Sequence, residues 1–97
     1  MTEQLTADAF MPYVDKVFRV KGGRLALTLS RVDVRPIEAW EAVKRQPFTL
    51  IFAGPPGDVL REGLHDLQVE DGPAFQLYVI PIQTFVQERQ DYQAVFN

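Results

Sequence analysis

The sequence predicts a mainly β protein, a small antiparallel β-barrel-like meander of about six strands, and three observations lead to this prediction. Apolar residues alternate along six short segments, Gly- and Pro-rich turns separate the segments, and the connections are short. Alternation with a period of two residues is typical of strands that bury one face. Short connections favour antiparallel pairing in a sheet that closes or nearly closes. The 97 residues accommodate a single domain, 1–97.

The clearest local signal is a hairpin around Lys21–Arg24. Gly22 and Gly23 predict a two-residue turn, because glycine adopts the positive φ angles that such turns need. This turn opposes Phe18 to Leu27 and puts the apolar residues of both strands on one face. The alternation then resumes one residue out of phase, which predicts a β-bulge near Ser30-Arg31.

Four more strands are predicted from their alternating residues, which are Phe48, Leu50 and Phe52; His65, Leu67 and Val69; Phe75, Leu77 and Val79; and Tyr92, Ala94 and Phe96. Helical spacing of apolar residues between Leu5 and Val14 predicts a short N-terminal helix over an apolar surface. Pro12 limits that helix to about two turns. Residues 36–46 fit either a second short helix or a long excursion.

The charge distribution is uneven, although the formal net charge is only −3. Residues 16–35 contain six basic residues and one acid, and the rest of the chain contains four basic and twelve acidic residues. We expect Arg19, Lys21 and Arg24 to form a basic face on the hairpin, which is a candidate binding surface for an acidic partner. The alternative is that acids lie beside these bases in space and neutralise them.

Apolar residues also occur on the face of the strands opposite to the inward face, and they form the other candidate binding surface. Ile51, Tyr78 and Ile80 alternate out of phase with the inward residues, and Trp40 lies in the ambiguous segment. Such a surface needs cover from the N-terminal helix, from the Trp40 segment or from another chain. The sequence therefore predicts a protein partner, and a further copy of the chain would serve as one.

Residues that carry chemistry are scarce. The chain has no Cys and one His, which excludes disulfides and Cys nucleophiles and argues against a zinc site. His65 alternates with Leu67, so we interpret it as an inward structural residue and not as a catalytic base. The Gly54–Asp58 turn lacks the Lys of a phosphate-binding loop. We therefore expect no enzyme activity, no metal and no cofactor.

Four stretches carry a resemblance to a known family. They are the segment from Leu5 to Phe10, the strand FTLIFAGP from Phe48, FQLYVIP from Phe75, and the terminal YQAVFN. Together they resemble a family of small uncharacterised bacterial domains whose members occur near phage-tail-like or collar-type proteins. The resemblance implies a role in assembly and brings no catalytic residues. Glu62 and His65 depart from the glutamine and tyrosine of the family pattern.

The function expected from the sequence is a non-enzymatic protein-interaction or assembly module that self-associates. One alternative is a small-molecule carrier that uses the barrel interior, although about six strands leave room for little more than packed side chains. A less favoured alternative is nucleic-acid binding through the basic hairpin 16–35. The N-terminus lacks the features of a signal peptide, and no apolar run approaches the length of a membrane helix, so we expect a cytoplasmic protein outside the membrane.

Overall fold

Six antiparallel strands form a closed barrel in the computed structural model, which describes residues 5–36 and 46–96. The strands are β1 (Val17–Val20), β2 (Ala26–Val34), β3 (Phe48–Gly54), β4 (Gly63–Val69), β5 (Ala74–Pro81) and β6 (Gln90–Phe96). Their order around the barrel is β1-β2-β3-β6-β5-β4, and β4 returns to pair with β1. The predicted fold class, a mainly β antiparallel barrel of six strands, is thereby confirmed, but the predicted meander is wrong, because β4 does not lie next to β3.

The connection between β3 and β4 crosses one end of the barrel. These two strands are consecutive in sequence, but they are not neighbours, because β6 and β5 lie between them. The crossing loop is held where the main-chain N–H of Leu60 donates a 2.9 Å hydrogen bond to the buried Tyr92 hydroxyl. Leu60 also packs against the core, so the loop covers this end of the barrel.

The β1–β2 hairpin has the predicted register and a different turn. Val17 pairs with Thr28, and Phe18 pairs with Leu27, as the alternation requires. The connection is a four-residue loop, in which the N–H of Gly23 donates to the carbonyl of Val20 at 3.3 Å. Gly22 has a φ of 83°, which a type II turn needs at its third position.

The predicted bulge in β2 lies at Ser30. Leu29 pairs with Phe52 and Arg31 pairs with Ile51, so Ser30 has no residue opposite it on β3. The extra residue returns Val32 to the inner face, where it packs against the core. This bulge confirms the sequence prediction.

The inner face of the barrel is filled by apolar side chains. Among the described residues, fourteen are buried in the core, which are Phe10, Phe18, Val20, Leu27, Leu29, Phe48, Leu50, Phe52, Leu67, Val69, Leu77, Val79, Tyr92 and Ala94. All of the predicted inward residues of β3 belong to it, together with Leu67 and Val69 of β4. Phe75 and Phe96 are half-buried and pack against it.

An N-terminal helical segment closes the other end of the barrel. It consists of two short 3-10 helices, Ala7–Ala9 and Met11–Tyr13, where the sequence predicts about two helical turns. Phe10 lies between them and is fully buried, with its ring centroid 4.6 Å from that of Phe75 and 5.8 Å from that of Phe96. The segment therefore acts as an aromatic plug, and the expected cover over an apolar surface is found at the barrel end.

The predicted alternatives for residues 36–46, and Trp40 with them, lie almost wholly outside the described residues.

Candidate functional site

The predicted basic face lies on the outside of β1 and in the loop that follows it. Arg19 projects outward from β1, and its guanidinium lies 3.5 Å from a carboxylate oxygen of Glu70. Both side chains are more than half exposed, at 62% and 54%. An ion pair of this length between exposed groups contributes little to stability, so it constrains Arg19 only weakly.

Lys21 and Arg24 are exposed and form no ion pair with any residue in 5–36 or 46–96. They belong to the four-residue loop, so they are not the directly opposed cross-strand pair that a two-residue turn would create. The main-chain N–H of Lys21 donates to the carbonyl of Asp66 at 2.9 Å. This bond extends the β1–β4 pairing by one residue and holds Lys21 beside β4.

Acidic side chains neutralise part of the basic segment. Glu70 contacts Arg19, and Asp33 contacts Arg31 at 3.0 Å. The expectation that acids lie beside these bases therefore holds for Arg19 and Arg31. Lys21 is exposed and outside both pairs, so it is a cation that an external carboxylate can reach.

A cleft of about 700 Å³ opens on the outer surface over β1, β4 and β5. Arg19 and Lys21 line one wall, and Asp66, Gln68 and Gln76 line the strands opposite. The register explains this arrangement, because Arg19 pairs with Gln68, and Asp66 pairs with Gln76 on the next strand. The volume falls within the range of ligand-binding clefts.

The residues of the predicted apolar face differ in their exposure to solvent. Tyr78 is 51% exposed, Ile80 is half-buried, and Ile51 is only 8% exposed although it faces outward between Arg31 and Gln93. Ile51 is therefore already covered within the chain. Trp40 is not among the described residues.

Two further residues extend this face, and alternation in the sequence would have identified them. Leu64 is 59% exposed and pairs directly with Tyr78, and Val95 is 46% exposed on β6. The β5–β6 pairing ends at Ile80 and Gln93, and Val95 lies two residues beyond it on the outer face of β6. Leu64 and Val95 each lie next to a residue predicted to face inward. We call Leu64, Tyr78 and Val95 the apolar strip.

Glu62 holds the tyrosine of the apolar strip in place. The Tyr78 hydroxyl donates a 2.8 Å hydrogen bond to a carboxylate oxygen of Glu62. This bond raises the pKa of Tyr78, and slight desolvation and the negative charge of Glu62 add to the effect. The phenol is thus kept in its protonated, hydrogen-bond-donating form.

Phe85 is a separate exposed apolar group in the loop between β5 and β6. The Thr84 hydroxyl fixes the base of this loop, since it donates to the carbonyl of Ile82 at 3.1 Å and accepts from the N–H of Asp91 at 2.8 Å. Phe85 lies outside both the apolar strip and the cleft.

His65 occupies the half-buried position that its alternation predicts. Its Nε2 lies 2.7 Å from the carbonyl oxygen of Arg61 and must carry the proton, because a carbonyl can only accept. The imidazole thus ties the crossing loop to β4, which is a structural role. Within residues 5–36 and 46–96, no group of three or more His, Cys, Asp or Glu side chains is arranged to hold a metal ion.

The described residues contain no helix of the length and apolarity needed to cross a bilayer. Comparison with curated proteins and with solved structures gives no match. A comparison with family models gives one over nearly the whole chain, residues 5–96. The chain belongs to the family described as domain of unknown function DUF6916.

Proposed function

We propose that this domain is a non-enzymatic protein-interaction module that associates with further copies of itself through the apolar strip. The observation that carries the proposal is the direct pairing of Leu64 with Tyr78, two large apolar side chains that are each more than half exposed. Val95, on the neighbouring strand β6, is also exposed. Adjacent exposed apolar side chains on strands are typical of surfaces that another chain covers.

Two observations favour an interaction module over the alternative functions. The barrel interior is occupied by the fourteen core residues, which weighs against a carrier that holds a ligand inside. Asp66 and Glu70 lie beside the basic wall of the cleft, and their charge would repel a phosphate backbone. His65, the only histidine, is engaged with a main-chain carbonyl, which weighs against a catalytic base.

The setting we propose is a larger assembly in the bacterial cytoplasm. Its support is the resemblance of four stretches of the sequence to bacterial domains that occur near phage-tail-like or collar-type proteins. A small barrel with a packed interior suits such a role, because it presents a rigid surface to its neighbours. The family description itself assigns no function.

Sedimentation velocity over a wide concentration range tests self-association. We expect the mass of the wild-type protein to rise with concentration and the double variant Leu64→Gln/Val95→Gln to remain a monomer. The matched control is Met11→Gln/Val59→Gln, which removes two apolar side chains of similar exposure outside the strip and should behave as wild type. A wild-type protein that stays monomeric at the highest concentration would contradict the proposal.

A further inference from the structure

We infer that the cleft over β1, β4 and β5 binds an extended segment of another protein chain that carries carboxylates at every second residue. This inference rests on the proposed role as a protein-interaction module and names the chemistry of one partner segment. It concerns a different surface from the apolar strip, so the two can be tested separately.

The spacing of the cations determines the spacing of the carboxylates. Arg19 and Lys21 are two residues apart and line the same cleft. Alternate residues of a strand repeat every ~6.6 Å, and an extended peptide has the same repeat. A segment lying along β1 would therefore bring acidic side chains at alternate positions to Arg19 and Lys21 in turn.

Both cations are available to such a ligand. Lys21 has no ion-pair partner in the described part of the chain, and its main chain is fixed by the bond to Asp66. Within residues 5–36 and 46–96, the Arg19 side chain is held by one contact, the exposed 3.5 Å contact with Glu70. An incoming carboxylate with shorter, better aligned hydrogen bonds to the guanidinium can replace Glu70.

The acids of the cleft determine which class of anion fits. Asp66 faces the cations from β4, and Glu70 lies beside Arg19. A continuous polyanion would place charge against both carboxylates, whereas a peptide with neutral residues between its acids avoids them. The observations therefore favour an acidic peptide over a nucleic acid.

Two glutamines can bind the main chain of the peptide. The Gln68 amide nitrogen donates to the carbonyl oxygens of Val69 and Gly72, which uses its N–H groups and leaves its carbonyl oxygen to accept from a ligand. The Gln76 amide nitrogen donates to Asp66 at 3.3 Å and has a second N–H to offer. The cleft thus provides both an acceptor and a donor for peptide groups.

Fluorescence anisotropy with a defined peptide tests the inference. The probe is a dye-labelled heptapeptide of alternating glycine and glutamate, and its lysine counterpart is the negative control. We expect the glutamate peptide to bind at low salt and the Lys21→Glu variant to bind it about tenfold more weakly, because a close charge pair becomes repulsive. The matched control is Lys16→Glu, which changes the net charge equally at the other end of β1 and should bind as wild type.

Removing the acid that competes for Arg19 should strengthen binding of the peptide. We expect Glu70→Gln to bind the glutamate peptide about two- to fivefold more tightly, since Arg19 loses its weak internal partner. Failure of the wild type to bind this peptide, or equal losses in Lys21→Glu and Lys16→Glu, would overturn the inference. The same titration of Leu64→Gln/Val95→Gln separates the proposals, because a monomer that still binds the peptide supports the cleft independently of self-association.

Discussion

The Tyr92 hydroxyl on the inner face of β6 accepts a 2.9 Å hydrogen bond from the main-chain N–H of Leu60. This bond joins β6 to the loop that connects β3 with β4 across the barrel end. Tyr92 is fully buried, so its polar end needs a partner and the loop provides one. The Tyr92 phenol is therefore one of the groups that hold the crossing loop against the barrel end, together with the His65 imidazole.

Substituting Tyr92→Phe should destabilise the fold by about 1–3 kcal/mol, because the N–H of Leu60 loses its acceptor beneath the crossing loop. Urea denaturation measures the loss, and hydrogen exchange should show faster exchange at the amide of Leu60. The control is Tyr13→Phe, since the Tyr13 hydroxyl makes no hydrogen bond in the described residues and its removal should change little. Equal stabilities of the two variants would contradict the assigned role of the bond.

The aromatic plug gives a second prediction. Phe10→Ala should cost about 3–5 kcal/mol, because it opens a cavity beside the rings of Phe75 and Phe96. Met11→Ala, one residue away at a position that is about half exposed, should cost far less. Thermal denaturation compares the two variants, and similar losses would show that Phe10 does not close the barrel end.

Alternation in the sequence was sufficient to predict all six strands, the register of the β1–β2 hairpin and the bulge at Ser30, because each depends on local periodicity. It could not predict that β6 lies between β3 and β5. That order depends on a loop crossing the barrel end, and a loop of the same composition can also join adjacent strands. The sequence also predicts a two-residue turn at Gly22 and Gly23, whereas the structure has a four-residue loop. The two glycines alone do not decide between these two loop lengths.

The candidate site was partly predictable for a similar reason. Alternation identifies which residues face outward, so it indicated Arg19 and Tyr78 and would also have indicated Leu64. It does not show which outward residues meet across strands that are distant in sequence. The contact of Arg19 with Glu70, fifty-one residues later, and the coverage of Ile51 depend on the tertiary fold.

The packing around Gly54 gives a third prediction. A β-carbon there would lie 2.7 Å from Cδ2 of Leu27, closer than β-carbon contacts in proteins, and 3.1 Å from Cε1 of Tyr92, tighter than most of them. Gly54→Ala should therefore destabilise the barrel by about 1–3 kcal/mol through overpacking. Gly23→Ala is the control, because no atom lies within 4 Å of its β-carbon, and its stability should stay within about 0.5 kcal/mol of wild type. Urea midpoints distinguish the variants, and a Gly54→Ala protein of unchanged stability would contradict this packing.

The last prediction concerns the phenol of the apolar strip. The hydrogen bond to Glu62 raises the pKa of Tyr78 above the ordinary value of 10.0, so the folded protein holds this proton more tightly than the unfolded chain does. The hydrogen bond therefore contributes fully to stability at pH values below the ordinary pKa of tyrosine. This contribution is lost as the pH rises through the pKa of Tyr78 in the folded protein.

Glu62→Gln should lower the pKa of Tyr78 towards 10.0, because it removes the negative charge and the strong acceptor. Ultraviolet titration of the phenolate measures this change, and the curve of Tyr78→Phe separates Tyr78 from Tyr13 and Tyr92. Superimposable curves for wild type and Glu62→Gln would show that the two side chains are not bonded in solution. If the curves do differ and the variant self-associates as wild type does, Glu62 positions the tyrosine without being required for the contact between copies.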